Sequence, residues 1–273
     1  MKNIAIITGA SSGMGKEFTL QVSSKYDFDE IWIVARRLEK LNELAGEINS
    51  QKNFQIIKPV ALDLGNMDGV RELEKLLKEE NEKLTKVESG INIGLLINNA
   101  GFGTYGPFDE TSVKAQTDMV QLNCTSLTGV CGIALPYLKS GSVIINTASL
   151  AAFMPLGNFA VYAATKAYVL SFSTALAAEL KGKGIKVHAL CPGSVSTEFA
   201  NVASNGARPE VKGGIPPQKV IAQCLKRAFK GKMISLYRLK WKFLAFFSHF
   251  VSGKLVARLT YKYNKRPRTP EEL

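Results

Sequence analysis

The chain has 273 residues, 46% of them hydrophobic, which suits one large α/β domain with a substantial core and excludes a largely disordered segment. Its net charge of +12 is concentrated, because residues 211–270 hold 15 Lys/Arg and no Asp or Glu, leaving residues 1–210 close to neutral. The four cysteines (Cys124, Cys131, Cys191 and Cys224) lack metal-site spacing and the only histidines are His188 and His249, so neither a metal site nor a Cys/His catalytic pair is expected.

Residues 3–8, N-I-A-I-I-T, form a β-branched run suited to a strand buried on both faces, and G-A-S-S-G-M-G follows. Gly9, Gly13 and Gly15 let the chain turn tightly. With Ser11, Ser12 and Met14 they would cradle a pyrophosphate at the N-terminus of a helix expected over 16–24. A second apolar run, 31–35, ends in Arg36 and Arg37, where an acidic residue would grip a ribose 2′-hydroxyl. Guanidinium groups there suit a 2′-phosphate, which favours NADP(H). Residues 39–51 have a helical pattern and 56–62 that of a third strand. Asp63 and Leu64 then stand where a carboxylate and an amide would meet an adenine edge; Asp63 is equally suited to cap the charged helix expected over 67–87.

A fourth strand, 91–97, leads into Asn98-Asn99-Ala100-Gly101, whose small residues permit close backbone approach. A loop with Phe102 and Tyr105 follows, then a helix over 112–138 that carries Asn123. A strand over 141–147 delivers Ser149 just beyond its end. Tyr162 and Lys166, four residues apart, share one face of a helix running to about residue 180. A fixed ammonium there favours the phenolate of a tyrosine, whose ordinary pKa is about 10. A sixth strand, 185–190, contains His188, read as structural, and the turn 191–197 brings Pro192, Gly193, Val195 and Thr197. This alternation of strand and helix specifies right-handed βαβ crossovers and one parallel sheet with helices on both faces.

Taken together, T-G-A-S-S-G-M-G at 8–15, D-L at 63–64, N-N-A-G at 98–101, Asn123, Ser149 thirteen residues before Tyr162, Y-A-A-T-K at 162–166 and P-G with Thr197 resemble the short-chain dehydrogenase/reductase family. The resemblance covers roughly residues 3–230 and implies an α/β, single-domain, doubly wound Rossmann fold with a mostly parallel sheet of about seven strands, and hydride transfer with NADP(H) and no metal. It implies that Tyr162 exchanges a proton with the carbonyl oxygen, that Ser149 holds that oxygen, and that Lys166 tunes Tyr162 and binds the nicotinamide ribose. Asn123 would place a water, and Thr197 with the backbone near Val195 would bind the carboxamide. A homodimer or homotetramer through the helices of Asn123 and Tyr162 is also implied.

Phe102, Tyr105, Leu150, Phe153, Met154 and Leu156 would surround a small apolar ketone or alcohol, although each is equally compatible with core packing. Residues 198–217 read as a substrate lid, 1–231 as the catalytic domain and 232–273 as a basic amphipathic extension. Apolar residues at helical spacing over 236–251, broken by Arg238, Lys240 and Lys242, suit either packing on a protein or peripheral membrane contact, which would extend over 236–263. No nucleic-acid motif is legible, and the opening residues carry no signal-peptide pattern, so a cytoplasmic setting is expected, with peripheral attachment at a membrane surface left open. The tail is similar to those of steroid and long-chain ketone reductases, which makes a hydroxysteroid dehydrogenase, bile acids included, the leading expectation. The alternatives are a 3-oxoacyl-thioester reductase and, from another class, a non-catalytic nucleotide-sensing or membrane-surface binding protein.

Overall fold

In a computed structural model, which describes residues 1–51, 56–86, 90–209, 211, 213–265 and 267–269, the first apolar run forms β1 (Lys2–Thr8). Ala5 and Ile7 enter one apolar cluster and Ile4 and Ile6 another, so both faces of the strand are covered. Burying each isoleucine contributes roughly 2 kcal/mol, which makes a polar substitution at Ile6 the simplest way to break the sheet centre.

β2 (Glu30–Ala35), β3 (Ile57–Ala61), β4 (Ile91–Asn98), β5 (Val143–Thr147), β6 (Lys186–Leu190) and β7 (Ile234–Ser235) complete a parallel seven-stranded sheet ordered β3-β2-β1-β4-β5-β6-β7. One face packs on α1 (Gly13–Lys25), α2 (Leu38–Asn49) and α8 (Pro217–Phe229). The other packs on α3 (Met67–Thr85), α5 (Leu127–Ala134) and α6 (Ala160–Leu180). This is the expected doubly wound Rossmann-type architecture.

Within β4 the register shifts opposite Ile4 and Ala5, so Ile93 and Leu96 face the same cluster although they are three residues apart. Gly94 sits at that shift, and a Cβ on it would lie 2.4 Å from Asn3 Oδ1.

Several expectations need correction. The helix expected over 112–138 is divided into α4 (Val113–Val120), a π-helical turn (Gln121–Ser126), α5, and a 3₁₀ turn (Leu135–Tyr137), with Asn123 inside the widened π segment. Asn66, not Asp63, caps α3, its Oδ1 accepting from Gly69 N–H at 3.0 Å. Asp63 lies too far upstream for that role, and its Oδ1 instead accepts from Gly65 N–H at 2.9 Å in a local turn.

The sheet also continues beyond the expected boundary at residue 231, since β7 pairs with β6. His188 secures this edge: its Nε2 lies 2.7 Å from Ser235 Oγ and its Nδ1 meets the Lys232 carbonyl. Of the segment 236–251 only α9 (Leu239–Phe247) is helical, and a separate helix, α10 (Gly253–Tyr263), follows it. Within 198–217, α7 (Phe199–Ala203) forms, and Val195 pairs with Ile215 in a single parallel bridge.

Candidate active site

The sheet order reverses between β1 and β4, and at such a point the connections leave in opposite directions and open a crevice beyond the strand ends. Here the glycine turn after β1 meets the Asn98–Gly101 turn after β4. Thr8 Oγ1 accepts from the N–H groups of Asn99 and Ala100, both at 3.0 Å, while Asn99 Nδ2 donates to Thr8 O at 3.2 Å and Gly9 O at 3.3 Å. Gly9 and Gly13 have φ of 67° and 54°, and a Cβ on Gly15 would lie 2.0 Å from Gly9 O.

α1 starts at this turn with no side-chain cap and no acidic residue in its first turn, so its leading N–H groups are left for an anion. At the end of β2, Arg37 Nη2 donates to Ser11 Oγ at 3.0 Å and lies 3.4 Å from Glu198 Oε2. Arg36 is exposed on the cleft wall with Asp63 and Leu64. The Cβ-free turn and the open helix end together fit the pyrophosphate of a dinucleotide, with the arginine pair at the end of β2 beside them.

Tyr162 and Lys166 both lie buried on α6. Lys166 Nζ donates to Thr147 O at 2.8 Å and stands 5.6 Å from the centre of the Tyr162 ring. Burial pushes the Lys166 ammonium down to about 8. The Tyr162 ring stacks on Phe159 with centroids 4.1 Å apart and meets Phe199 at 5.4 Å. Ser149 begins a 3₁₀ turn, its Oγ accepting from Ala151 N–H at 3.1 Å and lying 3.5 Å from Pro192 O.

Asn123 Oδ1 accepts from Phe102 N–H at 3.1 Å, while its Nδ2 donates to Phe102 O at 2.9 Å and Thr165 Oγ1 at 3.1 Å. The π turn therefore clamps the Phe102 loop to α6. Gly101 must be glycine beside this clamp, because a Cβ there would lie 2.7 Å from Asn123 Oδ1.

A cleft of about 1380 Å³ runs from Arg36, Arg37, Asp63 and Leu64, past the glycine turn, to Ser149, Tyr162 and Lys166. Asn99, Ala100, Gly101, Pro192, Gly193, Val195 and Thr197 also line it, as do Phe102, Tyr105, Leu150, Met154 and Leu156. Gly15 and Asn123 stand behind the wall, where they shape it. Phe153 does not join the pocket: the chain becomes extended at Met154, adjacent side chains then point to opposite sides, and Phe153 packs on the core cluster beside α6.

Several wall residues escape the motif reading. Phe159 and Phe199 frame Tyr162, and Gly103 approaches it so closely that a Cβ would lie 2.8 Å from Tyr162 Cδ2. Phe159 had a signal in its spacing, three residues before Tyr162 and hence on the same side of a helix start. Trp241 and Leu244 come from α9, and no local pattern points them at the cleft.

The profile of the short chain dehydrogenase family matches residues 3–207. The chain belongs to this family. Among family members, a very-long-chain 3-oxoacyl-CoA reductase of Pyrenophora tritici-repentis is 32% identical over 209 residues, 74% of this chain and 58% of that protein. The 17-beta-hydroxysteroid dehydrogenase type 3 of Mus musculus is 32% identical over 206 residues, 74% of this chain and 63% of that protein. The chain thus spans less than two thirds of either relative. A solved short-chain dehydrogenase from Sphingobium yanoikuyae, in complex with NADPH, superposes with a TM-score of 0.74 at 26% identity, covering 89% of this chain and 92% of that one.

Proposed function

We propose that this chain is an NADP(H)-dependent oxidoreductase that interconverts a secondary alcohol and a ketone on a large apolar substrate. The observation that carries this reading is the buried Tyr162 and Lys166 on one face of α6, opening with Ser149 into the cleft that holds the glycine turn. The dinucleotide, when bound, supplies or accepts the hydride. Tyr162 delivers a proton to the carbonyl oxygen in reduction and takes it back in oxidation, while Ser149 donates a hydrogen bond to that oxygen. Below about pH 8 Lys166 keeps its charge and favours the phenolate of Tyr162.

Gly9, Ser11, Ser12, Gly13 and Met14 would hold the pyrophosphate with backbone amides, and Arg36 with Arg37 the 2′-phosphate. Asp63 and Leu64 would meet the adenine edge, and Val195 with Thr197 the carboxamide. Phe159 and Phe199 exclude water beside the Tyr162 ring. Asn123 is a positioning residue that keeps Phe102 at the substrate end.

The apolar wall of Phe102, Tyr105, Leu150, Met154 and Leu156 suits a steroid ketone, in keeping with the name of the mouse relative. A second reading, a 3-oxoacyl thioester on coenzyme A, is favoured by Arg208, Arg238, Lys240 and Lys265 on the cleft wall, which would meet phosphates. It is also in keeping with the name of the fungal relative.

Consumption of NADPH with steroid ketones and with 3-oxoacyl-CoA separates the two. Tyr162→Phe lowers turnover on the true substrate by about 10²–10⁴-fold, and a variant as active as the parent would refute the oxidoreductase reading. Homo-oligomer formation is supported by the small and apolar outer strip of α6, where Ala164, Ala167, Tyr168 and Ser171 are exposed. Light scattering of Tyr168→Asp, expected to show smaller particles than the parent, tests that assembly.

A further inference from the structure

The two C-terminal helices turn one face to the domain and leave the other bare. α9 is seated by Trp241 and Ala245, one helical turn apart and both buried. Its outer side carries Leu239, Phe243 and Phe246, with Phe250 just beyond the helix, and these are 80%, 61%, 60% and 71% exposed. The rings gather on one another rather than on the domain, Phe243 with Phe247 at 4.0 Å and Phe246 with Phe250 at 5.2 Å between centroids. α10 adds exposed Leu255, Leu259 and Tyr263 and has no buried residue. Arg238, Lys240, Lys242, Lys254, Arg258 and Lys262 are interleaved with these side chains, and residues 211–270 contain no acidic group.

We infer that α9 and α10 form a docking face for the surface of an anionic lipid bilayer, with the mouth of the substrate cleft opening against it. An aromatic and aliphatic stripe among cations is the pattern that buries its apolar side at the headgroup boundary while the ammonium and guanidinium groups meet lipid phosphates. A second copy is a poor occupant, because a two-fold contact through this face would set cations against cations, and α9 and α10 hold no carboxylate to pair them. The attachment is peripheral: nine residues of α9 extend about 13 Å, well short of the roughly 30 Å of hydrocarbon. Among the described residues no helix is long and apolar enough to cross a membrane.

The same segment walls the cleft, through Arg238, Lys240, Trp241 and Leu244 on the α9 side and Asn264 and Lys265 just after α10. α10 is also tied to the loop that precedes α6. Thr260 Oγ1 accepts from Gly157 N–H at 2.9 Å and Tyr261 O from Asn158 Nδ2 at 2.9 Å. An apolar substrate can therefore pass from the acyl region into the cleft without crossing bulk water. This route rests on the apolar-ketone reading above; the docking face does not.

The test is sedimentation of the full chain, without cofactor or substrate, with phosphatidylcholine vesicles containing about 30 mol% phosphatidylglycerol and with phosphatidylcholine alone. The parent is expected to pellet with the anionic vesicles and about tenfold less with the neutral ones. A variant combining Phe243→Ser, Phe246→Ser and Phe250→Ser should lose about tenfold or more of its partition while keeping its melting temperature and its turnover of a water-soluble ketone. The inference is overturned if the parent stays in the supernatant, or if the triple variant pellets as well as the parent. It is equally overturned if the variant falls from dimer to monomer on light scattering and the parent ignores vesicles, which would assign the face to a second copy. A chain that binds vesicles yet reduces no ketone would sink the proposed chemistry and leave the docking face standing.

Discussion

The indole of Trp241 lies so close to Gly193 that a Cβ on the glycine would stand 2.4 Å from Trp241 Cε2. The contact fastens α9 to the turn after β6, next to Pro192 and Val195 on the cleft wall. Trp241→Ala should cost about 3–5 kcal/mol of stability and weaken NADPH binding, because the void opens beside that turn. Scanning calorimetry and a fluorescence titration check both effects, and an unchanged melting temperature would mean that α9 is not seated through this side chain.

Gly103 offers a way to disturb Tyr162 without removing it. A Cβ there would come within 2.8 Å of Tyr162 Cδ2 and 2.9 Å of Phe199 Cζ, so Gly103→Ala pushes on the tyrosine ring. Turnover should fall roughly 10- to 100-fold while NADPH affinity stays within about twofold, since a small misplacement of a reacting group acts on the chemical step. Steady-state kinetics with a separate binding titration distinguishes the two quantities.

Cofactor choice should follow the arginines unequally. Among the described residues Arg36 has no hydrogen-bond or ion-pair partner, whereas Arg37 is held by Ser11 and faces Glu198. Arg36→Asp is expected to lower kcat/KM for NADPH by about 10- to 100-fold, the cost of losing charge-assisted hydrogen bonds, and to shift preference toward NADH. Glu198→Gln should move the preference modestly the other way. Equal efficiencies with both nucleotides in the parent would contradict these assignments.

The fold should weaken in mild acid through His188. Burial pushes its imidazole down to about 4 from an ordinary 6.5, so the unfolded chain takes up a proton that the folded chain refuses. The neutral, folded form is therefore fully favoured above about pH 6.5, and its advantage drains away as the pH falls toward 4, by about 3 kcal/mol in all. His188→Asn should be less stable at pH 7, having lost its bonds to Lys232 and Ser235, yet show a flatter dependence of melting temperature on pH across that window. A slope equal to the parent's would show that another group carries the acid sensitivity.

Much of the site was legible in the chain because dinucleotide chemistry demands particular residue types. A glycine that must accept φ of 67°, or a Lys–Tyr pair spaced by one helical turn, leaves little freedom in the sequence. The sheet was legible for a similar reason, since strands covered on both faces read as unbroken apolar runs. β7 was not, because two residues carry no period, and its place depends on His188 and Ser235, 47 positions apart. The phase change at Gly94 and the π turn around Asn123 were hidden as well, as each is set by what packs against it rather than by local pattern. Asp63 and Asn66 are both good caps, and only the start of α3 decides between them. The amphipathic tail announced that it had an apolar side without announcing that Trp241 and Ala245 would turn inward while the phenylalanines turned out.

One edge strand of the sheet and part of one wall of the cleft are thus supplied by a single stretch of chain after residue 231. That stretch cannot be handled as a detachable module. Removing it strips β6 of its outer neighbour and opens one side of the cleft at once, so a shortened protein would confuse loss of folding with loss of selectivity. Exchanges with other members of the family that aim to retune substrate choice should join the chains after Ser235, leaving the strand in place and replacing only the helices that follow.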